Sequence, residues 1–343
     1  VLITRATHAG PRPATPGLGI QLRFVEEVPV ATAAEQAGFT RVTVGDNMTD
    51  GFAMCGTFAA VTEAAELHTS IVSWTRTPAT TALASSTVAK LTGGRFVLGL
   101  GAMPKHWSED HHGVDYARPV DRMRDYIGAI RACWAATPQQ PVDYEGEFYR
   151  LVRYAPMDQP SPHKIPITLG VIRPRMSYLA GEVADGVCID SMHSLGYAQD
   201  VLLPQIEAGR VAAGRTGDPF DVSVAVICAV GDTLQEARDL ARRTISWYLL
   251  TPYLRDVLAH HGFAEEYDKG SRALAEGGVD AAQHHIHDEI VETIAVVGTR
   301  DTFREKLSRY DGVMDWVRLS PPHGNPVSVV REQALRLVEA ATL

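Results

Sequence analysis

The fold is decided by TPATTALASSTVAKLTGGRFVLGLGAMP, Thr77–Pro104. Pro78 suits a helix start because its fixed φ is helical and its missing N–H would be unbonded there anyway. The helix stops at Gly93-Gly94, where a left-handed cap is easily adopted. A buried strand, Arg95–Leu100, follows at once. A helix running straight into an apolar strand is the repeating element of a βα array around a parallel sheet.

Outward from this unit, short apolar runs alternate with helical patterns along almost the whole chain. The predicted strands are Gly19–Phe24, Arg41–Val44, His68–Ser73, Arg95–Leu100, Ile165–Leu169, Gly186–Ile189, Val222–Val230 and Asp315–Leu319. They are rich in Val, Ile and Leu and read with little polar alternation, as strands buried on both faces do. Eight such units predict a single (β/α)8 TIM barrel, a mixed α/β fold, over residues 18–343. Arg118-Pro119 opens a helix whose Met123, Ile127, Ile130 and Trp134 share one face. The last helix starts at Pro326 and aligns Val327, Val330, Ala334, Leu337 and Val338.

Three segments lie outside a minimal barrel. Residues 1–17, rich in Pro and Gly, read as a loose N-terminal extension. Tyr144–Tyr149 reads as a hairpin turning at Glu145-Gly146. Thr251–Glu292 forms an insertion between the seventh and eighth strands. Long excursions after a barrel strand belong to the catalytic end, so this one is a lid or substrate pocket, or else a surface or dimer-contact insertion.

At 343 residues, 45% hydrophobic and 21% charged, the chain is an ordinary globular protein. The net charge of −9 argues against nucleic acid as a partner. No run approaches the roughly 18 apolar residues of a membrane span, so the expected setting is cytoplasmic with no membrane partner. Cys55, Cys133, Cys188 and Cys228 form no CxxC pair and read as buried free thiols.

Chemistry-bearing motifs are sparse. Gly99-x-Gly101 lacks the third glycine of a dinucleotide fingerprint, whose place is taken by Pro104. Gly101 instead lets a flat ligand or a phosphate approach the backbone. Asp46-Asn47 and Asp190-Ser191 follow predicted strands, at the rim where a carboxylate can take a proton or orient a ring; an Asx turn or helix cap is the plainer reading of both. His106–Gly113 is crowded with titratable groups, but Glu109 and His111 have no defined third ligand. His284 and Asp288, spaced i, i+4, would share a helix face, and the cluster around them reads as surface histidines. No metal site is expected. With no nucleophile elbow and no phosphate-binding loop, the chemistry falls to a cofactor or to rim acids and bases.

Gly94-Arg95-Phe96-Val97-Leu98-Gly99-Leu100-Gly101-Ala102, then Trp107, His112-Gly113-Val114 and Tyr116-x-Arg118-Pro119-Val120-x-Arg122-Met123-Arg124-Asp125-Tyr126-Ile127, resemble the bacterial luciferase-like family of flavin- and deazaflavin-dependent oxidoreductases. Further similarity at Thr75–Pro78, Ile165–Pro174 and Ala180–Val187 extends it over residues 18–340. The pattern is similar to the branch near methylenetetrahydromethanopterin reductase. That resemblance implies an enzyme, often dimeric, transferring a hydride between coenzyme F420 and a small organic substrate. The alternatives it leaves are an FMN-dependent monooxygenase fed by a partner flavin reductase, and a non-catalytic flavin-binding barrel.

Carried over by position, the resemblance places Asp46 beside the cofactor ring and a non-prolyl cis bond at Ser70-Ile71. Asn47 stands where the deazaflavin branch usually has His, which leaves proton transfer to Asp46, Glu109 or the substrate. Ser73 replaces a frequent Asn. Gly101 and Ala102 would border the ring, and Gly170, Val171 and Arg173 the cofactor tail, at a helix N-terminus that suits phosphate. Trp74, Trp107, His193, Trp247, Tyr248 and the Thr251–Glu292 insertion would face the substrate.

Overall fold

The structure, a computed structural model, describes residues 12–46 and 48–342. Its strands are β1 (Gly17–Leu22), β2 (Arg41–Val44), β3 (Glu66–Thr69), β4 (Phe96–Leu100), β5 (Val142–Glu145), β6 (Arg150–Tyr154), β7 (Ile167–Val171), β8 (Gly186–Ile189), β9 (Asp221–Val230), β10 (Val296–Gly298) and β11 (Trp316–Ser320). Eight of them close a parallel barrel in the order β1, β2, β3, β4, β7, β8, β9, β11, with β11 returning to β1. The helices surround it, so the fold is the expected (β/α)8 barrel. All eight predicted strands are present, most displaced by one or two residues. One further short strand, β10, was not predicted; it adds in parallel to the end of β9 outside the barrel.

The expectation of little polar alternation is overturned. Apolar side chains alternate with small or polar ones on nearly every barrel strand, as in Arg41-Val42-Thr43-Val44 and Trp316-Val317-Arg318-Leu319-Ser320. Because side chains alternate across a strand, one set faces the helices and the other the barrel axis. Bonds across the axis identify the inner set: Arg41 on β2 reaches Asp221 on β9, and Arg318 on β11 reaches Ser70 beyond β3. The apolar core therefore lies between barrel and helices, with Val42, Leu67, Leu98, Ile167, Val187 and Leu319 all buried. The barrel interior is polar. There Arg41 binds Glu66 at 2.9 Å and Asp221 at 2.5 Å while its guanidinium lies 3.7 Å from the Trp316 ring centre.

The helix Pro78–Leu91 starts at a Thr77 cap and the helix Pro119–Ala135 begins at the predicted Pro. β5 and β6 pair antiparallel as the predicted hairpin, held to that second helix by Asp125, which accepts bonds from Tyr144 Oη and the Phe148 amide. Of the stretch read as an N-terminal extension, residues 1–11 lie outside the described residues. Arg12 is tied to Asp315 at 2.5 Å, and β1 already begins at Gly17. All four cysteines are buried and unpaired. No helix among the described residues is long and apolar enough to cross a membrane.

Candidate active site

The C-terminal ends of the barrel strands converge on a mouth whose floor is an interruption in pairing. Val44 and Thr69 pair, the next pairing is Val72 with Leu100, and between them the Ser70–Ile71 peptide is cis. The Asp46 amide holds the Ile71 carbonyl at 2.9 Å and Ser70 N donates to Val44 O at 2.6 Å. Ile71 turns its side chain over two glycines. A Cβ on Gly101 or on Gly170 would stand 2.9 Å from an Ile71 γ-carbon. The open space at Gly101 is thus filled by Ile71, and any ligand meets that side chain, not the bare glycine backbone.

Asp46 sits beside this floor, its side chain nearly buried. One carboxylate oxygen accepts the Gly51 amide at 2.8 Å, where the helix Gly51–Val61 begins; the other is ion-paired with Arg76, which also pairs with Asp50. Both oxygens are in use, so Asp46 is a fixed acceptor that ties the loop after β3 to that helix. Asn47 lies outside the described residues.

Next around the rim, Ser73 and Trp74 are buried with Ser73 Oγ and Trp74 Nε1 left without partners among the described residues. Trp74 contacts the Tyr116 ring at 5.8 Å, and the Tyr116 amide donates to Glu109 Oε1 at 3.4 Å. Glu109 therefore stands one residue removed from Trp74, partly exposed, with Lys105 at 3.7 Å. Trp107 stacks on His111 in the same turn. Ala102 is half-buried against the core. Val171 is wholly buried and its carbonyl is taken by the Asp190 amide, so its side chain belongs to the core. Arg173 precedes the helix Pro174–Val183, where no side chain caps the first turn, and lies 3.3 Å from Asp256.

The far side of the mouth holds Tyr248, expected to face the substrate, beside Arg23 and His323, which motif reading passed over. Arg23, beyond β1, is buried and donates to Ser320 Oγ at 3.1 Å; its own amide is held by Glu27 at 2.6 Å. His323 Nε2 and Tyr248 Oη are 2.7 Å apart, and Tyr248 lies near Ser191 and Arg23. Burial, with Arg23 adding to it, pushes the His323 pKa well below the usual histidine range, so this imidazole is neutral. Burial raises Tyr248 to about 12 and also raises the carboxyl of Asp190. The alternation on β1 and β11 was the available signal: a charged or hydroxyl side chain on the inner register of a parallel strand points at the axis.

The insertion closes on this side. Its helix Pro252–His260 carries Asp256 to Arg173, and His261 Nε2 lies 2.6 Å from Ser194 Oγ in the loop after β8. Trp247 contacts Tyr248 and stands at the base of the insertion. His193 is directed elsewhere: it is buried, packs on the Tyr310 ring at 6.2 Å and bonds the Asp190 carbonyl at 2.8 Å. Burial lowers its pKa to about 3. The expected helix face shared by His284 and Asp288 does not form, because His284 belongs to a 3-10 turn and Asp288 starts a new helix, bound there by Arg238 and Arg242.

Known proteins share this architecture. Residues 2–314 match the family model described as luciferase-like monooxygenase. The chain is 28% identical over 315 residues to a 5,10-methylenetetrahydromethanopterin reductase of Archaeoglobus fulgidus, covering 89% of this chain and 91% of that one. The structure of a coenzyme F420-dependent tetrahydromethanopterin reductase from Methanopyrus kandleri superposes with a TM-score of 0.81 at 21% identity, over 94% and 97% of the two chains. A monooxygenase from Streptomyces bottropensis superposes at 0.66 with 20% identity, over 94% and 98%. A match spanning nearly every barrel strand cannot come from a shared local motif, and the chain belongs to the luciferase-like monooxygenase family.

Proposed function

We propose that this oxidoreductase moves a hydride between coenzyme F420 and a small organic substrate at the barrel mouth. The observation that carries the reading is the floor that Ile71 makes over Gly101 and Gly170, with the Asp46 amide bonded to the Ile71 carbonyl at its edge. The archaeal reductase matched over about nine-tenths of both chains supports F420 as the carrier. The mouth fits a flat group rich in hydrogen-bond acceptors, since the buried Trp74 Nε1 and Ser73 Oγ have no partner among the described residues. The uncapped first turn of the helix after Arg173 suits a phosphate-bearing tail.

When bound, the cofactor supplies or takes up the hydride, and the protein orients, desolvates and manages the proton. Ile71, resting on Gly101 and Gly170, gives the ring an apolar support. Asp46 fixes the rim through Arg76. The proton that accompanies the hydride is handled at Tyr248 Oη, because neutral His323 Nε2 stands 2.7 Å away to accept it. The substrate lies between Trp74, Tyr248 and the insertion.

The testing experiment is a fluorescence titration of the purified protein with F420 and, in parallel, FMN. Tight binding of F420 with no comparable FMN binding is the expected result. Preference for FMN would replace the reading with oxygen insertion fed by a flavin reductase, and binding of neither would overturn it.

A further inference from the structure

Three arginines face the barrel interior, Arg23, Arg41 and Arg318, none more than 5% exposed. Arg41 is ion-paired with Glu66 and Asp221. Arg23 makes no ion pair among the described residues and leaves Nε unpartnered there, but Glu27 and Asp190 lie close enough to act on its charge. Among the described residues, Arg318 has no carboxylate acting on it at all. Its Nη1 donates to Ser70 Oγ at 2.6 Å, while Nε and Nη2 have no partner among the described residues, and none of its ion pairs with a carboxylate forms there. Burial lowers its pKa to about 9, with Arg41 and Arg23, charges of its own sign, adding to the shift, and it stays charged at neutral pH.

A guanidinium has five donors, and burying one with no counter-charge costs several kcal/mol. Among the described residues no group offsets that cost. What it serves is indicated by what it touches. Ser70 is in the floor of the mouth, and its Oγ, accepting from Arg318, keeps its own hydrogen free to donate; its other neighbour, Cys188 Sγ at 4.0 Å, is a weak partner. A hydroxyl that accepts from a cation becomes a stronger donor. The positive charge of Arg318 is thereby presented to the mouth.

The reaction proposed above creates a matching negative charge. A hydride is a proton with two electrons, so a ring that accepts one gains one negative charge for as long as no proton joins it, and gives that charge up when the hydride leaves. We propose that Arg318, acting through Ser70, is the fixed counter-charge for that gain, so that the mouth binds the reduced form of its hydride carrier more tightly than the oxidised form. The inference rests on the reading that the mouth holds such a carrier. Arg318 is on this account a positioning residue with an electrostatic task, and it need not touch the ring.

The test compares dissociation constants for oxidised and reduced F420, and in parallel for FMN, measured without oxygen on the wild type and on Arg318→Met, Arg318→Lys and Ser70→Ala. The wild type is expected to favour the reduced form. Arg318→Met should lose at least tenfold of that preference, about 30 mV in the potential of a bound two-electron couple. Arg318→Lys, whose ammonium the same burial and like charges push toward the neutral form, should retain only part of it, and Ser70→Ala should fall between Arg318→Met and the wild type. A purely structural role would weaken both redox forms alike, and an unchanged ratio overturns the inference, as does a wild type with no preference. Should Arg318→Met fail to fold, the wild-type preference and its loss in Ser70→Ala decide the matter. Binding of neither cofactor by the wild type removes the functional reading and this inference together, whereas binding with a ratio indifferent to residues 70 and 318 removes only the inference.

Discussion

Replacing Asp46 by Ala removes a carboxylate whose two oxygens are both occupied, so its first effect is on the rim. Arg76 loses a partner in a partly buried setting and the Gly51 amide loses its acceptor, a change expected to cost about 1–3 kcal/mol. Arg76→Gln should reproduce most of that loss in denaturant unfolding, because the two side chains act as one unit. Tyr248→Phe is expected to behave differently: turnover falls by at least about tenfold while cofactor affinity stays near wild type, as removal of a proton-transfer group requires. Steady-state kinetics beside a binding titration separate the two variants, and an unchanged kcat in Tyr248→Phe would remove that hydroxyl from the mechanism. The buried histidines set an acid limit. His193, with its pKa lowered to about 3, and His68, lowered to about 4, both by burial, stay neutral when folded but take up a proton near pH 6.5 when unfolded. Their stability contribution is therefore complete above about pH 6.5 and is lost as pH falls toward 4, where the unfolded chain binds more protons. His193→Gln should flatten the stability curve between pH 6 and 4 by up to about 1.4 kcal/mol per pH unit, read from urea midpoints.

Among the elements, β4 and β7 show why small residues end barrel strands here. Gly101 and Gly170 receive the Ile71 side chain, and a methyl group on either would press on its γ-carbons at 2.9 Å. Gly101→Ala is expected to destabilise by about 1–3 kcal/mol, the usual cost of overpacking, and to weaken cofactor binding by displacing the floor. Adding Ile71→Ala should relieve the steric part, so the double variant unfolds at a higher temperature than Gly101→Ala alone. Equal or lower stability of the double variant would show that the contact is not what the glycine serves. The insertion is a second case. It is held by Arg173 with Asp256 and by Ser194 with His261, so those pairs fix it against the segments that follow β7 and β8, at the C-terminal end of the barrel.

On the scale of the whole molecule, the barrel separates two interiors of opposite character. Outside the sheet the contacts are apolar; inside it Arg41, Glu66 and Asp221 form a buried charged network, with neutral His68 beside Glu66 and the Arg41 guanidinium over Trp316. Such a network adds little net stability while intact, but removing one partner leaves charges uncompensated. Arg41→Met is accordingly expected to cost about 3–5 kcal/mol, since Glu66 and Asp221 both lose their main counter-charge. Denaturant unfolding at neutral pH checks this, and a loss below about 1 kcal/mol would mean that the two carboxylates are protonated or otherwise paired.

The barrel itself was legible in the order of residues, because strand and helix signals are local: Pro78 and Pro119 start helices, Gly93-Gly94 ends one, and eight apolar runs of strand length recur between helices. The hairpin at Glu145-Gly146 and the place of the insertion were equally local. What the sequence alone also determined is the inner register, visible in Arg41-x-Thr43 and Arg318-x-Ser320 to a reading that counts alternation. The partners of those side chains could not be read there. Arg41 meets Asp221 across 180 residues and Arg318 meets Ser70 across 248, and such distances are set only when the barrel closes. The same holds for Asp46, which looked free to exchange protons until folding brought Arg76 against it, and for His193, whose ring packs on Tyr310 in the turn before β11. Local propensity chooses the elements; closure of the sheet decides which charges are matched, which are buried alone and which face the mouth.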